Sequence, residues 1–367
     1  MSSSHSHRRA VPSRRLAAGL TLVEVLIAMA IALLVTLVVF QTFAVSEGYR
    51  RSATSGGDAV FNGSIGTHTL QRDLRMAGYG LNSLALLGCN VLAYDESVSP
   101  ARTFTFALVP VVITQGAGTA PDTIEISYSD TDSMPAPVRL TQALPTPAAN
   151  YHVDNAFGLE AGQLIVVAEA GLDCSLHQVT NTPSQEAPGR RDLIIHNSGT
   201  YRTPSGATAA ARYNKPGGFG PTYTLDAVVY PLGRLPTVAR YSIQNENLMV
   251  EARMLGTAPA GVAANIVQLQ AQYGRDTTGD GTVDVWDETT PVTPAGWANV
   301  IAVRFGMVAR SAVAERPDAN GACNTTTAAP TWAAGAFDLS GRADWQCFRY
   351  RVFESTVTLR NMIWRPA

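Results

Sequence analysis

The chain has 367 residues, 46% of them hydrophobic and 15% charged, room for two ordinary domains or one large all-β one and a composition that excludes a disordered protein. Formal net charge is −2, but Arg8, Arg9, Arg14 and Arg15 have no acidic neighbours, so everything after Gly19 carries −6. That balance excludes a basic nucleic-acid-binding surface, and the bias of 26 arginines to one lysine, Lys215, reads as genome composition.

The first predicted element is the apolar run from Leu20 to Phe40, 21 residues. As a helix it spans about 31 Å, enough to cross a bilayer once. Arginines before it outnumber Arg50 and Arg51 after it, so the N-terminus is expected in the cytoplasm and the rest outside, which in a bacterium is the periplasm. A cleaved secretory signal has an apolar region of about 7 to 15 residues, with its small-residue site after that region. Here Ala28, Ala30 and Ala32 lie inside the run. Within this oily stretch stands one acid, Glu24. A carboxylate at mid-membrane costs roughly 2.5 to 3.5 kcal/mol, so it is kept for a task.

The basic leader followed by Gly19, Leu20, Thr21, Leu22, Val23 and Glu24 resembles the class III signal of type IV pilins and type II secretion pseudopilins. The resemblance implies cleavage between Gly19 and Leu20 by a prepilin peptidase and N-methylation of the new Leu20 amine. Leucine replaces the family's usual phenylalanine after the glycine. In a bundle of such helices Glu24 can pair with the charged Leu20 amine of a neighbouring subunit, so that one desolvated charge meets another. The helix N-terminus alone favours the anion by only about 0.3 to 1 kcal/mol.

From Gln41 to Gly80 the sequence turns polar, and Val60, Gly63, Thr67, Leu70, Leu74 and Ala77 recur at helical spacing. Gly48, Gly56, Gly57, Gly63 and Gly66 predict a weak or bent middle, each costing about 1 kcal/mol against alanine. Packing on a globular part is expected over about 67–77, with stops at Gly78 and Gly80. Four segments are thus expected: leader 1–19, transmembrane and assembly helix 20–43, periplasmic helix 44–80 and a β-rich globular domain 81–367.

The strand signals follow. "RTFTFALVPVVIT" and "TIEISYS" are rich in branched and aromatic residues, "QLIVVAE" and "CSLHQVT" flank a short glycine-containing link, and "VARYSIQNENLMVEARM" has the pattern of a hairpin turning at "NEN". Six or more such strands argue for a large antiparallel sheet, and an α+β fold with the long helix packed on it. Residues 181–191, 203–221 and 314–335 read as long loops. Cys89, Cys174, Cys323 and Cys347 are an even number in the exported part, so two disulfides are expected. Three pairings are open; Cys89–Cys174 with Cys323–Cys347 closes the shortest loops and is the one expected.

"DTTGDGTVDVWD" (276–287) places Asp276, Thr278, Asp280, Asp284 and Asp287 at the ligand positions of an EF-hand loop, with Gly281 at the sharp turn and the Thr282 carbonyl as a further ligand. Calcium is the candidate cofactor. The threonine, the short last acid and a strand-like lead-in depart from the pattern, and the competing reading is a metal-free acidic turn. His68, His152, His177 and His196 stand apart in sequence, and nucleophile, zinc-protease and Walker A motifs are absent. No enzyme is expected. The alternating "CFRYRVFESTVTLRNMIW" reads as a half-buried strand rather than a nucleic-acid platform.

"QRDLRMAGYG" at the end of the first helix is similar to what PilW minor pilins carry there, and "GQLIVVAEAGLDCSLHQVT", "QAQYGRDTTGDGTVDVW", "WANVIAVRFGMVARS" and "RYRVFESTVTLRNMIW" extend the likeness. The resemblance implies a non-catalytic subunit of the type IV pilus priming or tip complex, held in the inner membrane before assembly. Its implied partners are other minor pilins, the major pilin, the prepilin peptidase and the assembly platform. A J-type pseudopilin of type II secretion shares leader and layout but is generally shorter. A membrane-anchored calcium-dependent adhesin or enzyme would need a polar cluster that the sequence does not display.

Overall fold

The structure, a computed structural model, describes residues 19, 21–81, 87–131, 137–182 and 192–363. Leu20, most of the loop expected at 181–191 and the leader before Gly19 lie outside them. The chain divides into two compact units, Met1–Thr54 and Ser55–Ala367. One helix, α1 (Leu22–Met76), runs through the division without a break.

In the first unit the helical residues from Leu22 to Arg50 are exposed along their whole length. In the second unit the helix buries Ser55, Ala59, Gly63, Gly66, Leu70 and Leu74, a stripe at spacings of three and four, with Asp73 beside it and Ala77 just past the helix end also buried. This differs from the expected stripe at its upper end, where Val60 is exposed and Ala59 faces inward. The segment expected to be weak is helical throughout, and of its glycines Gly63 and Gly66 are held by packing, whereas Gly48, Gly56 and Gly57 have open space around them. A Cβ on Gly63 would sit 2.0 Å from a ring carbon of Phe353, and one on Gly66 would sit 3.1 Å from the Met307 methyl. These glycines let the sheet approach the helix axis, and the burial gained there offsets their low helix propensity.

The helix stops where expected. Gly78 and Gly80 take φ of +78° and +79°, and the Asn361 side-chain amide donates to the carbonyls of Met76 and Ala77 at 3.2 and 3.0 Å. These are the acceptors that a helix end leaves unpaired. Asp73, buried on the inner face, accepts from the Tyr241 hydroxyl at 2.6 Å and from Arg72 at 2.9 Å.

The β part, the β-rich domain expected from the strand signals, is built of three main sheets. A five-stranded antiparallel sheet has the order Ala260–Ala264, Asn247–Ala252, Thr237–Gln244, Thr123–Tyr128, Val111–Thr114. Its hairpin turns through Asn245 and Glu246, with φ of 48° and 62°, the left-handed pair that a two-residue turn between twisted strands requires. A four-stranded antiparallel sheet has the order Val285–Asp287, Ile266–Arg275, Val300–Arg310, Tyr350–Thr358. Leu70 and Leu74 of α1 share one core with Ile113, Ile126 and Leu248 of the first sheet and Leu269, Phe305 and Met307 of the second.

The third sheet, six-stranded, has the order Arg102–Ala107, Asn90–Asp95, Cys174–Gln178, Leu164–Ala168, Val228–Gly233, Val138–Arg139. It carries apolar clusters of its own and includes one parallel pairing, Val91 with Cys174 and Leu92 with Ser175. The Cys89–Cys174 disulfide ties the residue just before the strand Asn90–Asp95 to the start of Cys174–Gln178, with Cα atoms 5.9 Å apart. The second disulfide joins Cys323 to Cys347. Short strands Thr208–Ala211 and Thr331–Trp332 occur inside segments expected as loops.

Asp95 ties the six-stranded sheet to the hairpin. Its fully buried carboxylate receives Arg212 at 2.8 Å and Arg102 at 3.3 Å, and these two guanidiniums also donate to the carbonyls of Met254 and Arg253. Burial pushes the Asp95 carboxyl up, but hydrogen bonds from Arg212 and Ser97 outweigh it and hold it at about 2.

Candidate functional site

The first turn of α1 holds the candidate assembly residues. Thr21 precedes the first helical residue, and its hydroxyl accepts the Glu24 backbone N–H at 3.3 Å, while its carbonyl accepts from Val25 at 3.2 Å. Thr21 is therefore the N-cap and Glu24 stands three positions on, the spacing of a capping box. The sequence reading singled out Glu24 and missed Thr21, although the Thr-x-x-Glu spacing was there to be used. Glu24 is exposed and lies between Leu22 and Val23 on one side and Val25, Leu26 and Ile27 on the other, all exposed. Gly19 is described and exposed. The helix is long and apolar enough to cross a membrane.

The Asp-rich loop requires a correction. Asp276 accepts the N–H groups of Gly279 and Gly281 at 2.6 and 2.8 Å, and Asp284 accepts the N–H and hydroxyl of Thr277 at 2.7 and 2.8 Å. Asp280 accepts from the N–H and hydroxyl of Thr282, and Asp287, expected to close the metal shell, is ion-paired with Arg275 at 2.8 Å. Each carboxylate is thus held by its own turn or by a cation. The Gly281 N–H lowers the Asp276 pKa and the Thr277 hydroxyl lowers that of Asp284. Among the described residues no group of three or more His, Cys, Asp or Glu side chains could hold a metal ion. Thr278 and the other EF-hand positions form a hydrogen-bonded acidic turn between Ile266–Arg275 and Val285–Asp287, and calcium has no support.

Two histidines that the sequence separates are brought together. His177, on the strand Cys174–Gln178, and His196, after the strand Leu193–Ile194, have ring centroids 4.5 Å apart, and Tyr151 stacks on His196 at 4.6 Å. His177 Nε2 lies 3.0 Å from the Ser175 hydroxyl. His196 Nε2 lies 2.9 Å from the Ala149 carbonyl, which only accepts, so this nitrogen carries a hydrogen. Burial lowers both imidazole pKa values, that of His177 strongly and with help from His196. His68 and His152 do not join the cluster in any described contact.

Residues 238–361 match the family model of PilW, the type IV pilus-assembly protein W, and residues 14–40 match the prokaryotic N-terminal methylation motif. The first match spans the hairpin, the four-stranded sheet and the segment that caps α1; the second spans the Thr21–Glu24 turn and the apolar helix. No curated protein matches. A solved type IV-like pilin from Thermus thermophilus is similar at 11% identity and a TM-score of 0.30, covering 82% of this chain and 94% of its own, a likeness too low to carry an argument. The matched families are those of structural pilins rather than enzymes. The methylation-motif match and the helix apolar enough to cross a membrane coincide in the same N-terminal stretch.

Proposed function

We propose that this chain, a PilW-type minor pilin of the type IV pilus, joins the priming complex that starts fibre assembly and remains at or near the tip. The observation that carries the reading is the capped first turn: Thr21 fixes the start of the helix and Glu24 follows it, exposed in an otherwise apolar surface. Cleavage after Gly19 removes the arginine-rich leader of residues 1–19 and creates the Leu20 amine. Residues 20–43 then hold the subunit in the inner membrane, 44–80 continue the helix and 81–367 face the periplasm.

In the fibre, Glu24 meets the methylated Leu20 amine of a neighbouring pilin. Two charges that are costly alone in an apolar medium become tolerable as a hydrogen-bonded pair, which fixes the axial register of adjacent helices. The β-rich unit supplies contacts to sibling minor pilins and the major pilin, after the prepilin peptidase and the assembly platform have acted. No observation favours a type II secretion pseudopilin, an adhesin or an enzyme.

The test is complementation of a deletion strain with Glu24→Val. The variant is expected to stay in the membrane and be processed, yet to leave surface pili reduced to the level of the deletion strain. Wild-type piliation with Glu24→Val would reject the pairing.

A further inference from the structure

A long outermost strand offers a row of unpaired N–H and C=O groups to any other strand, and folded proteins blunt such edges. Most outer strands of the three main sheets are blunted here. On Val111–Thr114 the Ile113 N–H donates to the Tyr273 hydroxyl at 2.6 Å, and the Ile113 carbonyl accepts from the Thr290 hydroxyl at 3.1 Å. On Arg102–Ala107 the Thr105 carbonyl accepts from Arg253 at 2.7 Å. Ala260–Ala264 is bulged, its register against Asn247–Ala252 shifting between Leu248 and Met249. Val138–Arg139 and Val285–Asp287 are only two and three residues long.

Tyr350–Thr358 differs. It has nine residues, no proline and no register shift against Val300–Arg310. The Ser311 N–H bonds to the Arg349 carbonyl at one end and the Leu359 N–H to the Ile301 carbonyl at the other, so the odd-numbered residues between them bond inward. The backbone N–H and C=O groups of Val352, Glu354, Thr356 and Thr358 therefore point to the open side, where no hydrogen bond from a described residue meets them. Glu354, Thr356 and Thr358 are exposed.

The two faces of this strand differ in chemistry. On one, the Phe353 ring lies against Gly63 of α1 and the Ser355 hydroxyl accepts from Gln71 at 2.5 Å. Arg351 shares that face by the two-residue period, is exposed and has no ion-pair partner among the described residues. On the other lies a pocket of about 210 Å³ lined by Arg304, Trp332, Glu354 and Thr356. Trp332 is laid against the sheet, since a Cβ on Gly306 would sit 2.7 Å from its ring, and the Arg304 guanidinium stands 5.8 Å from its centroid.

We infer that this edge receives an extended segment of a neighbouring pilus subunit, which adds a fifth strand to the sheet. Main-chain hydrogen bonds to Val352, Glu354, Thr356 and Thr358 supply the attachment, and side-chain pockets on alternate residues supply the choice of partner. The incoming segment carries an acid toward Arg351 on the helix side and an apolar side chain toward Trp332 on the other. A second copy of the strand fits poorly, because pairing about Glu354 sets two like charges opposite each other. A pilus subunit is the occupant because the edge flanks the inner stretch of α1, and helices packed side by side in a fibre bring the next globular unit to that flank. The identity of the occupant rests on the assembly reading; the open edge does not.

Hydrogen exchange compares the full chain expressed alone in mild detergent with the complex extracted from native membranes in the same detergent, read amide by amide. In the chain alone, Val352, Glu354 and Thr356 should exchange fast while Ser355 and Val357 are protected; in the complex the first three should slow about tenfold or more. Cross-linking of the complex should join residues 350–358 to another chain with an N-terminal methylation motif. Equal exchange in both samples overturns the edge, and a link only to a second copy or to a protein without that motif overturns the occupant. Two variants separate backbone from side chain in the complemented deletion strain. Thr356→Pro removes an outward N–H, a change edge strands tolerate, so the chain should unfold as wild type yet leave piliation at the deletion level. Thr356→Ala keeps the N–H and should restore wild-type piliation. Full piliation with a folded Thr356→Pro, while Glu24→Val abolishes it, overturns the edge and leaves the assembly reading standing; slowed edge amides with full piliation by Glu24→Val do the reverse.

Discussion

The two stretches of α1 use the same backbone in opposite ways. Residues 22–50 expose every side chain, while residues 55–77 bury an inner stripe against two sheets. One acid of each stretch, Glu24 in the first and Asp73 in the second, shows the difference. Asp73 is satisfied inside its own chain by Tyr241 and Arg72, whereas Glu24 has only the helix start beside it and an apolar surface around it. Glycines contrast in the same way: a Cβ on Gly48 in the first stretch would meet nothing within 4 Å, and one on Gly63 in the second would strike Phe353. The comparison teaches that the second stretch is stabilised by this chain and the first by what surrounds it.

The largest test of that contrast is truncation of matched leucines. Leu70→Ala should destabilise the folded unit by about 2 to 5 kcal/mol, because Leu70 is fully buried. Leu34→Ala, 67% exposed at wild type, should leave that unfolding transition within about 0.5 kcal/mol. Chemical denaturation of the detergent-solubilised chain reads both, and equal effects would break the comparison.

Glycine substitutions sharpen it at smaller scale. Gly63→Ala should cost about 1 to 3 kcal/mol through the clash with Phe353, relieved in part by Phe353→Leu in a double-mutant cycle. Gly48→Ala should instead be neutral or stabilise by up to about 1 kcal/mol, since it only improves helix propensity. Thermal unfolding of the two variants separates these signs.

If the second unit is self-contained, its own buried groups should set its pH dependence. His177 and His196 have folded pKa values lowered by burial, so their contribution is complete above the unfolded value of about 6.5 and is lost as pH falls below it. Each histidine kept neutral contributes a slope of up to about 1.4 kcal/mol per pH unit in that window. Denaturation midpoints between about pH 7 and pH 5 should fall accordingly, and His177→Gln should flatten the curve; an unchanged slope would contradict the burial argument.

Much of this architecture was legible in the sequence because its signals are local. The leader and Glu24 stand in one contiguous stretch, the "NEN" turn sits between two alternating runs, and Gly78 and Gly80 end the helix by a conformation that glycine adopts freely. What was hidden depends on distant partners. Gly63 and Gly66 read as weak helix until Phe353 and Met307 are placed against them. The parallel pairing of Val91 with Cys174 and the tilted contact of His177 with His196 follow from strand order, which hydrophobic periodicity does not encode. The Asp-rich loop misled for the converse reason, since a ligand-like spacing serves equally well to bind the turn's own N–H groups.

The measurement that reaches the assembly claim most directly is the intact mass and N-terminal sequence of the protein isolated from its native membrane. A mature chain beginning with N-methylated Leu20 is the predicted result. A chain still beginning at Met1, or one cut within the apolar run after Ala30 or Ala32, would contradict it.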